Sequence, residues 1–274
     1  MRLVNYATAE GPRAGMLRDG RVFEVAGAPA GGLQALLAAG GVDRAEPAGG
    51  EGLALAEVEL LPPIERPGKV LCIGLNYRAH AEEGGREAPE MPTFFAKFAT
   101  SLRPHGANVE LPRWSSRVDY EAEVAFVIGD RCKDVSAERA LEHVAGYTLL
   151  NDLSARDYQF KTPQWMPGKT FDGSAPFGPA LVTPDEAGPH DAIGIALDLN
   201  GERMQESSTA DLVHSIPALV EYLSMLMTLE PGDVVATGTP AGVGSLRDPK
   251  VWLKPGDEVV VSSPQLGELR TTLA

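Results

Sequence analysis

Cysteine is nearly absent from this 274-residue chain, long apolar runs are missing, and basic residues are few. Cys72 and Cys132 are too few for a disulfide framework and form no C-x-x-C pair, which argues against a thiolate metal site and a redox motif. No stretch approaches the roughly 20 apolar residues of a membrane span, and the opening MRLVNYATAEGPRAG lacks the apolar region of a secretory signal. The chain is therefore expected in the cytoplasm. Only 24 basic residues stand against 38 acidic ones, and the net charge of −14 repels phosphate backbones and anionic lipid surfaces. Nucleic acid and membranes are not expected partners. G-x-S-x-G, H-E-x-x-H and G-x-x-x-x-G-K-[ST] are all missing, which leaves serine-hydrolase, zincin and P-loop readings unsupported.

Hydrophobic residues make up 43% of the chain, enough for a sizeable core. Residues 1–63 read as a small module: AGMLRDGRVFEV is two alternating runs about Asp19-Gly20, a hairpin signal, and GGLQALLAAGG has a short helical pattern. LLPPIERPG interrupts regular structure and places a boundary near residue 63, with a larger domain over 64–274. There KVLCIG predicts a strand, NYRAHAEE a helix stopped by Gly84 and Gly85, and ERALEHVAGYTLL a helix running into a strand. IALDLNGERMQ predicts a hairpin turning at Asn200-Gly201, while EPGDVVATG and KPGDEVVVS predict strands entered from Pro-Gly turns. In SIPALVEYLSMLMTL, Ile216, Leu219, Val220, Leu223 and Leu226 recur at helical spacing and are expected to face the core. Strands and helices mix without βαβ alternation, which predicts an α+β, β-rich fold.

VDYEAEVAFVIG, residues 118 to 129, sets Asp119, Glu121 and Glu123 at every second position before a fully apolar run. On a strand the three carboxylates share one face roughly 6.5 Å apart, at the mouth of a core. Neighbouring charges at that spacing repel by about 2 to 3 kcal/mol at an effective dielectric of 20. Either the face is open to water or a divalent cation held by oxygen ligands offsets the repulsion. His80 and Glu83 lie three apart on one helix face, where the carboxylate can orient the imidazole and raise its basicity. Asp152 follows two leucines at a strand-like end, and Lys169 stands among turn residues. The run TGTPAGVG lacks a P-loop lysine and reads as a plain turn more readily than as a phosphate loop.

GLNYRAHAEE, VDYEAEVAFVIG, NDLSARDYQ, PGKTFDG, LNGERMQ and ATGTPAGVG, in that order, resemble the fumarylacetoacetate hydrolase (FAH) family over about residues 60 to 274. The resemblance implies an FAH-type fold of packed mixed β-sheets, a β-sandwich roll, with a small N-terminal α/β module. It implies Glu121, Glu123 and Asp152 as ligands of one Mg²⁺ or Mn²⁺ per chain, with Asp119 a structural acid beside them. His80 and Glu83 would activate water from a mobile lid, Lys169 would join them in catalysis, and Arg156, Gln159, Gln205 and Thr239 would contact substrate. The short amino-terminal part resembles the bacterial branch, which includes acylpyruvate hydrolases, oxaloacetate decarboxylases and 2-hydroxyhepta-2,4-diene-1,7-dioate isomerases. The implied function is hydrolytic cleavage of a carbon–carbon bond in a 2-oxo acid through a metal-stabilised enolate, in a homodimer. Decarboxylation or isomerisation at the same site is the alternative. A reading from another class, a non-catalytic metal-binding module, has no use for a paired base such as His80.

Overall fold

The strand Ala122–Ile128 is apolar on both faces because both faces are covered. Val124, Phe126 and Ile128 enter a core of 34 buried residues, and Ala125 and Val127 enter a second core of 23 on the opposite face. The computed structural model describes residues 1–274. In it this strand lies inside a twelve-stranded sheet, antiparallel to Val144–Asn151 on one side and to Val234–Ala236 on the other. Val70–Gly74 and Thr93–Lys97 continue the sheet beyond Val234–Ala236.

The expected first hairpin pairs Gly11–Arg18 with Arg21–Glu24, and Asp19 and Gly20 take the left-handed φ of 47° and 71° that a tight hairpin turn needs. Arg2–Thr8 pairs with Ala175–Val182, so the strands of the first sixty residues extend the same sheet. The short helix Gly32–Ala38 packs Leu33, Leu36 and Leu37 into the smaller core. A second sheet of five strands, which includes the hairpin turning at Asn200-Gly201, covers the larger core with Ile195, Leu197, Val259, Val261 and Leu269. The result is an α+β fold, rich in strand, built from packed mixed sheets.

Three local expectations change. Residues 118 to 129 are not one strand: Val118–Asp119 pairs with Ser154–Ala155 in a separate two-stranded sheet, and the chain breaks at Tyr120 and Glu121. The cause is side-chain competition for the backbone, since Asp119 Oδ1 accepts the Tyr120 amide and Asn151 Oδ1 accepts the Glu121 amide. Residues Ala137–His143 wind as a 3-10 helix rather than an α-helix. Leu226 is 48% exposed, because Ile216–Leu226 ends at that residue, one turn past the stripe of Ile216, Leu219, Val220 and Leu223 that is buried.

Candidate active site

Asn151 pairs with Ala122 at the end of its strand, and the next amide, that of Asp152, donates to Glu121 O at 2.9 Å. Strand pairing thus delivers Asp152 beside Glu121 and Glu123, and one carboxylate oxygen from each lies within 4.8 Å of the others. All three are buried. Asp119, no longer on the same strand, is held by the amides of Gly244 at 2.7 Å and Ser245 at 3.0 Å and by Arg156 Nε at 2.8 Å. Its oxygens are fully used, as suits a structural acid.

Buried cations surround the group. Lys169 Nζ donates to Glu121 Oε2 at 2.6 Å and Asp152 Oδ2 at 2.9 Å. Gly168 permits this approach, because a Cβ there would stand 2.5 Å from Ala155 O and from the Gln159 amide nitrogen. Arg156 Nη2 lies 2.7 Å from Glu121 Oε1, and its Nη1 donates to Gln159 Oε1 at 2.9 Å. Lys97, which the sequence reading missed, places Nζ 2.8 Å from Asp152 Oδ1 while donating to Ser174 O and Oγ and to Lys169 O. A lysine closing the apolar strand TFFAK was the available signal.

Four carboxylates, those of Asp119, Glu121, Glu123 and Asp152, therefore face three cations, those of Lys97, Arg156 and Lys169. Burial works to raise Glu121, but Lys169 and Arg156 outweigh it and hold its carboxyl at about 2. The uncompensated charge falls on Glu123, which burial and the repulsion of Asp152 and Glu121 push well above the usual carboxylate range. Asp152 Oδ1 is buried and receives no hydrogen bond, despite the nearby Lys97. Converging hard oxygen donors, one open oxygen and one excess negative charge fit Mg²⁺ or Mn²⁺ better than zinc.

The glycine-rich run is neither an idle turn nor a phosphate loop. Its amides hold acids of the site: Gly238 donates to Glu123 Oε2 at 2.8 Å, Gly242 to Glu83, and Gly244, together with Ser245 just after the run, to Asp119. Glu83 closes the helix Arg78–Glu83, and its Oε2 lies 3.5 Å from His80 Nδ1. Burial works to raise Glu83, but the hydrogen bonds from His80 and Gly242 keep it below the ordinary glutamate value.

A cavity of about 310 Å³ joins these parts. His80, Glu121, Glu123, Arg156, Gln159, Lys169 and Thr239 all line it, with Phe95 and Trp165 as an edge-to-face aromatic wall. Gln205 does not line it. Its Oε1 accepts the Ala122 amide, and its Nε2 donates to Thr239 Oγ1 at 2.9 Å and Pro240 O at 2.8 Å. Gln205 thus sits behind Thr239 and leaves the threonine hydroxyl hydrogen free for the cavity. No helix is long and apolar enough to cross a membrane.

Residues 69–274 match the carboxy-terminal domain profile of fumarylacetoacetate hydrolase. A mitochondrial oxaloacetate tautomerase of Xenopus laevis is 44% identical over 219 residues, 79% of this chain and 69% of that protein. The solved fumarylacetoacetate hydrolase of psychrophilic Exiguobacterium antarcticum is 32% identical with a TM-score of 0.85, covering 100% of this chain and 99% of that one. The solved 5-carboxymethyl-2-hydroxymuconate delta-isomerase of Mycobacterium smegmatis is 36% identical with a TM-score of 0.83 over the same shares. With a family profile spanning most of its length and relatives of this identity, the chain belongs to the fumarylacetoacetate hydrolase family.

Proposed function

We propose that this chain is a Mg²⁺- or Mn²⁺-dependent enzyme that moves a proton between carbon and oxygen of a 2-oxo acid, interconverting keto and enol forms. One observation carries the reading: His80 lines the same cavity as Glu121 and Glu123, two of the three clustered carboxylates, and Glu83 stands ready to fix the imidazole. At about 310 Å³ that cavity is at the small end for ligand sites and suits a short acid. The divalent ion, when bound, would hold the C1 carboxylate and C2 oxygen and favour negative charge on that oxygen. Glu83 accepts the Nδ1 proton of His80, which leaves Nε2 as the base for a proton on C3. Lys169 and Thr239 supply hydrogen-bond donors to the oxygen end of the acid. A relative named as a tautomerase and a neighbour named as an isomerase support proton transfer as the reaction.

Hydrolysis is the second reading, supported by the hydrolase neighbour and by the same base, which would take its proton from water instead of carbon. Cleavage of an acylpyruvate or decarboxylation of oxaloacetate would leave the same enolate. The test follows enol-oxaloacetate by its ultraviolet absorbance, and pyruvate release from acetylpyruvate and oxaloacetate, all with Mn²⁺. Enol loss above the uncatalysed rate without pyruvate supports the first reading. Pyruvate release replaces it with the second, and no reaction with any of them overturns both.

A further inference from the structure

The part of the cavity wall that carries His80, Gly84 and Arg86 is one loop, residues 76–89, and both of its ends meet a single residue, His214. At the near end Asn76 is buried and fully engaged: its Oδ1 accepts the His214 amide at 2.8 Å, and its Nδ2 donates to His214 O at 3.1 Å and Thr237 O at 2.9 Å. Val213 donates to Asn76 O at 2.8 Å, and the buried Tyr77 bridges to Leu212. At the far end His214 Nε2 lies 3.0 Å from Pro89 O. A carbonyl can only accept, so Nε2 carries the proton and donates, in the neutral ring as in the charged one.

The far end has little else to hold it. Residues 87–92 read EAPEMP, and Pro89 and Pro92 have no amide to donate. The contact with His214 is the one hydrogen bond these residues make, and neither Glu87 nor Glu90 forms an ion pair within 4.0 Å. Just before them the helix ends at Gly84 and Gly85, the latter at a left-handed φ of 64°. The middle of the loop is tied through Glu83 to the Gly242 amide. Without the far tie, the stretch from Gly84 to Pro92 would be free to swing and to pull on Glu83, the carboxylate that faces His80 Nδ1.

We propose that His214 is a positioning residue for His80. Its backbone holds the start of the loop and its side chain holds the return, so the loop closes over the cavity in one arrangement. The inference rests on the proposed function for the role of His80, whereas the tie to the loop stands apart from it.

His214→Phe keeps a flat ring and removes the donor, while His214→Gln offers an amide that can donate in its place. The amides of Gly84, Gly85 and Arg86 are bonded inside the loop, to His80 O, Glu82 O and Ala81 O, so their hydrogen exchange reports its opening. In the Mn²⁺-loaded protein, exchange at these amides is expected to rise about tenfold in the Phe variant, what leaving one acceptor unpaired supplies, and to stay near wild type in the Gln variant. For enol-oxaloacetate, kcat/KM should fall by a similar factor in the first and recover in the second, with Mn²⁺ affinity and exchange at 122–128 unchanged in both. Should exchange at 122–128 rise in the Phe variant, His214→Ala removes the donor without a new ring and must loosen the loop in the same way. Wild-type exchange at 84–86 in the donor-less variant, or a Gln variant equally loose, overturns the tie. A loosened loop with undiminished kcat/KM is read against His80→Ala. Lost turnover there overturns positioning by His214, whereas retained turnover sinks the reading of His80 as the base, and the positioning role with it, while the tie survives. No turnover by the wild type sinks the proposed function alone, and exchange still decides the tie.

Discussion

Gly242 donates its amide to both carboxylate oxygens of Glu83, at 3.1 Å each, across 159 positions of sequence. The six-residue helix carrying His80 is too short to be stable alone, so this contact fixes where the face bearing His80 points. Arg247 Nε at 3.1 Å and Tyr120 Oη at 3.2 Å in turn donate to Gly242 O, and Arg247 Nη2 reaches Met204 O at 2.5 Å.

Gly242→Ala is expected to unseat this helix. Its φ is 101° and a Cβ would meet Met204 O at 2.2 Å, so the loop must shift, at a cost of about 2 to 4 kcal/mol. Hydrogen exchange over residues 78–83 should rise while 122–128 stays protected. Unchanged exchange at 78–83 would show that the amide does not hold the helix.

Glu121→Gln and Asp152→Asn should each remove high-affinity Mn²⁺ binding, read by calorimetry, and leave a folded protein. The alanine variants should behave differently. Glu121→Ala strips Lys169 and Arg156 of a shared buried partner, and such losses cost about 3 to 5 kcal/mol. Wild-type Mn²⁺ affinity in either amide variant would remove that residue from the ligand set.

His80→Ala should lower kcat by at least about 100-fold, the usual contribution of a general base, with Mn²⁺ affinity unchanged. Glu83→Gln keeps the size of the side chain and should cost less. Near-normal turnover in the His80 variant would place the base elsewhere.

The raised pKa of Glu123 sets a pH dependence. Below the ordinary glutamate value it is protonated in folded and unfolded chains alike, and the metal-free fold keeps its full stability there. As pH rises, the unfolded chain ionises first, so metal-free stability falls until the raised value is passed. Mn²⁺ requires the carboxylate, so its affinity should climb over that window with release of a proton. Calorimetry in two buffers of unequal ionisation enthalpy reads the proton directly, and a heat independent of buffer would contradict the assignment.

Assembly offers a further check. Met225 at 52% and Met91 at 54% exposure line one surface pocket with Tyr222 and form an apolar patch. Taken with the family resemblance, the patch leads us to expect a homodimer. Sedimentation should give a species of twice the 29.0 kDa chain, and a single-chain mass across micromolar concentrations would exclude the dimer.

Alternation along 122–128 was legible in the sequence because it follows from strand geometry alone: successive side chains enter opposite cores, whatever those cores contain. The hairpins at Asp19-Gly20 and Asn200-Gly201 were legible for the same local reason, since their φ values belong to those residues. Six motifs in order were enough to point to the family. What the sequence left open are relations between distant segments. Strand pairing brought Asp152 against Glu121, and long-range hydrogen bonds removed Asp119 from the line of acids. Only packing placed Lys97 at Asp152 and set Gln205 behind Thr239. Charge compensation is a sum over neighbours in space, and the neighbours of a buried carboxylate are chosen by the fold rather than by its position in the chain.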